Sequence, residues 1–426
     1  MAKEHDPYLR HLFDGTDLNV YDHNVMNLSA GAPGPDLLQL CVNLFQEATR
    51  HCLEKEKEKA YLFQYGIAPG MWEFREELAK FLSKQYGEPV LRELLVQTCG
   101  ATHGLQLAMI EFLWPDSIIF VEDATYMLAL QAFQKYPHMK IVTVPITDSG
   151  LDAEALEKIV SEEYTKRQWN LTEERPFWAM LYTIPVFHNP TGTTMKESTC
   201  QKVVNIARKF NILVFCEDVY NLIHFTEGPP PKRLFAYDFE TPGYKGGHVI
   251  SNGTFSKILS PGVRVGWMEL PPRLAVNIRK SGILVSGGAT NHYVSGVITS
   301  LLELGLQEKH LTYAREKFKN RMNILCDILE TRLPKSCVFL RPMGGYFVWI
   351  KLPEFINSKQ FTDWSTKKHK ITMVVGSRFS LENKYNNYLR VGIAFHDKEI
   401  IRQAAEVLCI AIREFIEMIT TKKNLT

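Results

Sequence analysis

Apolar residues are distributed along the chain in two alternating patterns. Short, mostly apolar runs predict strands, and longer stretches with apolar positions every three or four residues predict helices. In the first 290 residues, strands are predicted at 94–98, 118–122, 141–145, 178–183, 212–216 and 247–250. The helices between them are predicted at 37–59, 72–86, 105–113, 153–164 and 196–210. Regular alternation of strands and helices is typical of an α/β fold.

The last third of the chain has a different order of elements. Helices are predicted at 272–283 and, after an apolar run at 291–305, at about 309–332. Further strands are predicted at 337–340, 344–350, 374–376 and 388–395. Because 426 residues are many for one hydrophobic core, we expect one large and one smaller domain.

Composition excludes several classes of function. With 23% charged residues and a formal net charge of +2, the chain has no excess of charge that would suit a nucleic acid. No apolar run approaches the length needed to cross a membrane. The eight cysteines form no Cys-x-x-Cys pair, so we expect no metal site. Reduced thiols, and an N-terminus unlike a signal peptide or a mitochondrial presequence, predict a cytoplasmic protein.

One lysine is a candidate for chemistry. Lys257 follows the strand predicted at 247–250, and α/β sheets place their ligands where strands end. A lysine held there, with neighbours able to lower its pKa, is suited to covalent bonding with an aldehyde cofactor. The hydroxyls of Thr254 and Ser256 and the guanidinium of Arg264 are the groups that a cofactor phosphate needs.

The spacing of these residues resembles a known motif. Residues 254–266 follow the pattern hydroxyl-x-Ser-Lys-x-x-x-Pro-Gly-x-Arg-x-Gly, which is similar to the lysine motif of the fold-type I pyridoxal-phosphate enzymes. Within that group, the chain resembles the class I and II aminotransferases of the aminoadipate and kynurenine branch. The resemblance implies pyridoxal 5′-phosphate bound to Lys257 and the fold of type I PLP-dependent transferases. It also implies a mostly parallel sheet in a large domain at 45–290, with a smaller α/β domain from 1–44 and 291–426.

The resemblance assigns further residues to the cofactor. Gly100 lies in a turn between a strand and a helix, which is either a plain connection or an anion site. In the family, the equivalents of Gly100, Ala101 and Thr102 hold the phosphate. Tyr126 would stack on the pyridine ring. Tyr65 would reach the phosphate of the neighbouring subunit, which implies a homodimer with shared active sites.

Polar residues at two later strand ends also match the family. Asn189, in Asn-Pro-Thr-Gly, and Tyr220 would share the phenolic oxygen of the cofactor. A carboxylate is needed at the pyridine nitrogen, where the family commonly has two aspartates, and here Glu217 and Asp218 are the candidates. Adjacent strand residues face opposite ways, so the two are not expected to share this role. In the family the aspartate on the nitrogen lies three residues before the tyrosine, and Glu217 has that position relative to Tyr220. Asp218 stays a candidate if the strand ends early or bulges.

Residues expected to bind the substrate come from both ends of the chain. Gly31 lies in a Gly/Pro-rich loop that resembles the loop covering the substrate in the family. Arg390 is a lone arginine in an otherwise apolar strand, and it matches the arginine that binds the α-carboxylate. A structural ion pair is its alternative role. Asn189 is also expected to contact the substrate.

The implied reaction is transamination between an amino acid and a 2-oxo acid, with Lys257, Tyr126 and Glu217 as the catalytic residues. An aromatic, 2-aminoadipate or branched-chain donor is expected. Two alternatives keep the fold: a lyase or decarboxylase, or a catalytically weakened relative, because Glu217 departs from the family pattern. A DNA-binding regulator is not expected, since few residues precede Gly31 and the chain has no basic patch.

Overall fold

A computed structural model describes residues 24–166, 168–239 and 247–424. The N-terminal residues used to predict the cellular location lie outside these ranges. Within the ranges, none of the helices combines the length and the apolar character that crossing a membrane requires.

Strands and helices alternate through most of the chain. The strands, in chain order, are β1 (Met26–Asn27), β2 (Leu95–Thr98), β3 (Leu113–Glu122), β4 (Lys140–Val144), β5 (Ile146–Thr147), β6 (Gly150–Leu151), β7 (Phe177–Thr183), β8 (Leu213–Glu217), β9 (Val249–Thr254), β10 (Gly266–Glu269), β11 (Val338–Phe339), β12 (Phe347–Lys351), β13 (Ile371–Thr372), β14 (Val374–Val375) and β15 (Tyr388–Gly392). The helices are α1 (Pro35–Glu56), α2 (Trp72–Tyr86), α3 (Ala101–Phe112), α4 (Met127–Phe133), α5 (Ala153–Tyr164), α6 (Glu197–Phe210), α7 (Leu234–Phe239), α8 (Pro272–Ile278), α9 (Gly282–Val285), α10 (His292–Glu303), α11 (Leu306–Arg332), α12 (Ser358–His369) and α13 (Lys398–Asn424).

A mixed sheet of seven strands forms the centre of the molecule, in the order β2-β10-β9-β8-β7-β3-β4. β10 runs antiparallel to both of its neighbours, and the other adjacent pairs are parallel. The predicted α/β class with a mostly parallel sheet is therefore confirmed. Parallel strands end at the same edge, so the polar residues that follow them meet there.

Helices cover both faces of the large sheet. Phe120 and Val214 pack on one face with apolar residues of α5 and α6. Ile119 and Phe215, their neighbours in sequence, pack on the other face with α2 and α3. Successive strand residues point to opposite faces, so a strand covered on both sides is apolar throughout. This explains the continuous apolar runs in the sequence.

A second sheet comes from the last third of the chain. It has the order β11-β12-β15-β14, and each adjacent pair is antiparallel. β1 pairs in parallel with β13, so the beginning of the described chain lies beside a strand from its last third. The predicted domain boundary after residue 44 falls inside the continuous helix α1. The division at that residue stays a prediction.

Several predicted element bounds were wrong. The helix predicted at 272–283 is two short helices, α8 and α9, and the break precedes Gly282, a poor helix former. The helix predicted from residue 105 begins at Ala101, so the expected turn forms its first residues. β9 continues to Thr254, and Lys257 follows it by three residues. The last two differences lie at element ends, where sequence patterns are weakest.

Candidate active site

A cavity of about 190 Å³ lies at the carboxyl ends of β7, β8 and β9. Many of the predicted site residues line it, although they are far apart in sequence: Ala101, Thr102, Tyr126, Asn189, Glu217, Tyr220, Thr254, Ser256, Lys257 and Arg264. The parallel strands bring these residues together because their ends share one edge of the sheet.

Lys257 reaches across this cavity. Its Nζ donates a hydrogen bond to the backbone oxygen of Gly31, at 2.7 Å. Burial lowers the pKa of Lys257 to about 8, the positive charge of Arg390 acts in the same direction, and the carboxylate of Glu217 opposes both. An amine with this pKa is partly unprotonated near neutral pH, as a nucleophile or a base must be.

The N-terminus of α3 is a candidate anion site beside the cavity, because Ala101 and Thr102 at its start line the cavity. Arg264 donates hydrogen bonds from Nη1 to Ser256 Oγ and from Nη2 to the backbone oxygen of Cys99, each at 3.3 Å. Thr254 Oγ1 donates to Ser256 Oγ at 3.0 Å. Gly100 precedes the helix with a φ of 82°, and a β carbon there would lie 2.6 Å from Arg264 Nη2. Hydroxyls, a guanidinium and the first amides of a helix therefore converge where only glycine leaves room.

Glu217 occupies the cavity side of β8. Leu213 and Phe215 belong to one core and Val214 to the other, and Glu217 continues the series of Leu213 and Phe215. Its Oε1 accepts a hydrogen bond from Asn252 Nδ2, at 3.1 Å. Burial raises the pKa of Glu217 to about 8. The structure thus presents a buried carboxyl group to the cavity from the end of this strand.

Asp218 lies outside the cavity lining, on the opposite side of β8. Its Oδ2 accepts a hydrogen bond from Ser251 Oγ at 2.5 Å. Arg233, which pairs with Glu88 and Glu269, is close enough for its charge to affect Asp218. Burial raises the pKa of Asp218 to about 6, and the Ser251 hydrogen bond and the Arg233 charge act to lower it. The two adjacent carboxyl groups are therefore separated by the strand.

Tyr126 and Tyr220 contribute phenol groups to the cavity. Burial raises the pKa of both, that of Tyr126 to about 12. Both hydroxyls therefore keep their protons at neutral pH and are available as hydrogen-bond donors.

Arg390 is buried in β15. It does not line the cavity itself, but it binds Asn189, which does. Its Nη1 donates to Asn189 Oδ1 at 3.0 Å, and its Nη2 donates to the backbone oxygen of Ser29 at 2.6 Å. The guanidinium lies 4.1 Å from the ring centre of Phe347 and 5.0 Å from that of Phe379. Its Nε has no hydrogen-bond partner within the described ranges. Nη1 and Nη2 are bound only by the neutral groups of Asn189 and Ser29. A carboxylate ligand would therefore supply the negative charge that a buried cation needs.

Tyr65 lies away from the cavity. Tyr65 is 80% exposed and lines a surface pocket together with two other exposed aromatic residues, Tyr61 and Trp72. The single chain therefore does not bring Tyr65 to its own cavity. A cluster of exposed aromatic rings is typical of a surface that binds another protein.

Similarity to known proteins decides the family. The family model for class I and II aminotransferases matches residues 23–408. The chain belongs to this family. The aminotransferase is 31% identical over 393 residues to aromatic-amino-acid aminotransferase 1 of Thermococcus litoralis, covering 92% of this chain and 88% of the relative. It is 28% identical over 397 residues to 2-aminoadipate transaminase of Thermus thermophilus, covering 93% and 92%.

A solved structure gives the same result for the fold. Kynurenine aminotransferase of Pyrococcus horikoshii superposes on the aminotransferase with a TM-score of 0.80 at 27% sequence identity, covering 97% of this chain and 95% of that one. The fold is that of the type I PLP-dependent transferases. The enzyme transfers an amino group from an amino acid to a 2-oxo acid and uses pyridoxal 5′-phosphate.

The residues present fit this cofactor. The anion site at α3 has the donors for a phosphate, and the Gly100 turn leaves no room for a side chain. Lys257 provides an amine with a lowered pKa, and Glu217 provides a buried carboxyl group. The donor set therefore matches the phosphate, the aldehyde and the ring nitrogen of pyridoxal phosphate.

Asn252 and Phe347 were missed by the sequence reasoning. Asn252 Nδ2 donates to the backbone oxygen of Ala101 at 3.0 Å as well as to Glu217, so it joins the anion site to the carboxyl group. Phe347 lies over Arg390 and fills the space beside Gly31, where a β carbon would lie 2.8 Å from its ring. The Gly-Gly-x-Phe pattern around Phe347 was the available signal, but the apolar sequence alone indicates only packing.

A buried network behind Asn189 was also missed. His188 Nε2 lies 3.1 Å from Glu122 Oε2, and His188 Nδ1 lies 2.8 Å from Thr191 Oγ1. Glu122 also accepts a hydrogen bond from Thr183 Oγ1 at 2.6 Å. These contacts fix the loop that carries Asn189. The two contacts of Glu122 join residues more than 60 positions apart, which sequence spacing does not reveal.

The raised pKa of Glu217 predicts a pH effect on the stability of the cofactor-free aminotransferase. Its pKa rises from 4.5 to about 8 on folding, so its stabilising contribution is complete below 4.5 and is lost as pH rises through about 8. Glu217→Gln removes this contribution. The difference in melting temperature, wild type minus Glu217→Gln, should therefore decrease as the pH is raised from about 5 to about 8.5. Thermal unfolding over this range measures the difference, and parallel profiles would contradict the shift.

Proposed function

We propose that Lys257 binds pyridoxal phosphate and moves the proton in transamination. The observation that supports this most is the position of its buried amine, with a pKa lowered to about 8, in the cavity that contains the anion site. A phosphate bound beside Arg264 and an aldehyde bonded to Lys257 would hold the cofactor at two points.

The remaining cofactor contacts are proposed from the cavity lining. Gly100, Ala101 and Thr102 hold the phosphate through the N-terminus of α3, together with Thr254, Ser256 and Arg264. Tyr126 would pack on the ring face, and Asn189 and Tyr220 would bind the phenolic oxygen. Glu217 pairs with the ring nitrogen. Asp218, on the other side of β8, supports that strand end through Ser251.

The bound cofactor supplies an electron sink for the Cα–H bond and carries the amino group between the two halves of the reaction. Lys257 Nζ, as a free amine, accepts the Cα proton as a general base and returns a proton as a general acid. With a pKa of about 8, the carboxyl group of Glu217 is largely protonated at neutral pH in the cofactor-free enzyme. It would give this proton to the ring nitrogen and then carry the negative charge that favours a protonated ring. Arg390 and Asn189 orient the substrate, and the backbone of Gly31 covers it.

Arg390→Gln is expected to raise KM for the amino acid about 100-fold, because the carboxylate loses a charged, two-point partner. Cofactor absorbance should remain, since Arg390 stays outside the phosphate site. Steady-state kinetics with a spectrum of each protein measures both effects. Arg341→Gln, at an arginine paired with Glu330 at the surface, is the control and should keep the wild-type KM. An unchanged KM in Arg390→Gln would support a structural role instead.

The amino donor is proposed to be an aromatic amino acid, 2-aminoadipate or a branched-chain amino acid. Three apolar residues of the cavity lining, Leu105, Leu128 and Ile184, are compatible with a large side chain. The similar enzymes named above act on aromatic amino acids or 2-aminoadipate. A panel of amino acids with 2-oxoglutarate or pyruvate as acceptor tests this. A highest kcat/KM for aspartate or alanine would contradict it. Release of product without transfer of nitrogen would favour a lyase.

We also propose a cytoplasmic homodimer. The exposed aromatic cluster around Tyr65 supports an interface through which Tyr65 reaches the phosphate of the other subunit. The free thiols of Cys41, Cys99 and the other cysteines are compatible with a reducing compartment. Sedimentation equilibrium should give about twice the chain mass of 48.9 kDa, and a value near 48.9 kDa would contradict the dimer.

A further inference from the structure

The turn that carries Lys257 is held by side chains from the last third of the chain. Tyr346 Oη donates a hydrogen bond to the backbone oxygen of Lys257 at 2.6 Å. Gln307 Nε2 donates to the next carbonyl, that of Ile258, at 2.9 Å. Tyr346 and Gln307 are fully buried. Two successive carbonyls therefore have dedicated side-chain donors.

A third side chain extends this arrangement. His310, one helical turn after Gln307 in α11, is buried and hydrogen-bonded to the backbone of Leu259. We call Tyr346, Gln307 and His310 the clasp. Residues 255–259 form a turn outside any helix or strand. The backbone oxygen of Phe255 accepts hydrogen bonds from the amides of Leu259 and Ser260, whereas those of Lys257 and Ile258 accept from side chains. A buried carbonyl without a partner is costly, and the clasp supplies these partners.

Tyr346 is also in contact with the cavity wall and with α11. Its ring centre lies 5.5 Å from that of Tyr220, which lines the cavity, and 4.8 Å from that of Phe318 in α11. The phenol is therefore fixed by packing on two sides while its hydroxyl contacts the lysine backbone. A donor held in this way has little freedom to follow a moving turn.

The lysine side chain is long and flexible, so the position of its amine depends on the points that hold it. At its far end, Nζ contacts the oxygen of Gly31 at 2.7 Å, and at its base the backbone oxygen is bound by Tyr346. We propose that Tyr346 is a positioning residue for Lys257. Its hydroxyl fixes the backbone from which the amine reaches the cofactor and the substrate. This role rests on the proposed assignment of Lys257 as the residue that binds the cofactor.

Tyr346→Phe tests the role by removing one oxygen atom and keeping the ring packing. We expect kcat to fall about 10-fold, because the amine samples more orientations, and KM to change by less than about twofold. The circular dichroism of the bound chromophore should also decrease per cofactor, because this signal reports a fixed orientation. Cofactor content, measured after release in alkali, normalises the spectrum.

Tyr86→Phe is the matched control, because Tyr86 is buried beside Arg233 and outside the cavity lining. It should change stability at most, with wild-type kcat and circular dichroism. Gln307→Met provides a second test if Tyr346→Phe does not fold, since it removes the donor to Ile258 and should lower the same two signals. The proposal is overturned if the folded variant has a lower melting temperature but wild-type kcat and circular dichroism. If the wild-type cofactor is bound to another lysine, the assignment of Lys257 fails instead.

Discussion

Lys257→Ala is expected to fold and to bind pyridoxal phosphate only reversibly, with transaminase activity lowered at least about 1,000-fold. The physical reason is that the variant loses both the covalent attachment and the group that moves the Cα proton. The anion site remains, because Thr254, Ser256 and Arg264 are unchanged. Absorbance of the lysine-bound chromophore and single-turnover kinetics measure the two losses separately.

Covalent trapping makes this test specific to one residue. Borohydride reduction of the wild type should fix the cofactor to the peptide that contains Lys257, as identified by mass spectrometry. Lys280→Ala is the control, because Lys280 is exposed and lies outside the cavity lining. An unchanged absorbance band in Lys257→Ala, or trapping on another peptide, would reject the assignment.

Glu217→Gln should lower kcat about 100-fold, whereas Asp218→Asn should retain activity within about threefold. The amide keeps the size of Glu217 and its hydrogen bond with Asn252, but it cannot carry the negative charge that favours a protonated ring nitrogen. Asp218 faces Ser251 and Arg233, so its change should lower the melting temperature rather than kcat. Steady-state kinetics and thermal unfolding of both variants separate these effects.

A third variant, Glu217→Asp, separates the effect of charge from that of side-chain length. It restores the residue type that the family commonly has and keeps the charge, so it should be far more active than Glu217→Gln. The opposite pattern, with Asp218→Asn inactive and Glu217→Gln active, would show that β8 presents Asp218 to the ring. An equal loss of kcat in Glu217→Gln and Asp218→Asn would indicate that both side chains are needed to maintain the end of β8.

The sequence predicted which residues line the cavity better than it predicted the element bounds. The lysine motif, the glycine turn before α3 and the Asn-Pro-Thr-Gly loop each follow a strand, and parallel pairing brings such strand ends together. Strand alternation predicted that Glu217 and Asp218 face opposite ways, and the position three residues before Tyr220 favoured Glu217. These predictions depend on local spacing and on the type of sheet, both of which can be read from the chain.

Contacts between distant residues could not be predicted in the same way. Tyr346 and Phe347 are consecutive residues in an apolar pattern, yet one binds the backbone of Lys257 and the other covers Arg390. Asn252 was one polar residue within a strand, and its two hydrogen bonds depend on the register of β8 with β9. Such roles follow from tertiary packing, which period and composition leave open.

The hydrogen bond from Arg390 to the oxygen of Ser29 joins residues 361 positions apart. During synthesis the ribosome releases the N-terminal segment first, while the strand that completes its contacts is still unmade. The large sheet can form before that, but the amino-acid pocket cannot. Catalytic competence should therefore appear only after nearly the whole polypeptide has emerged, and C-terminal truncation before residue 390 should yield chains that lack it.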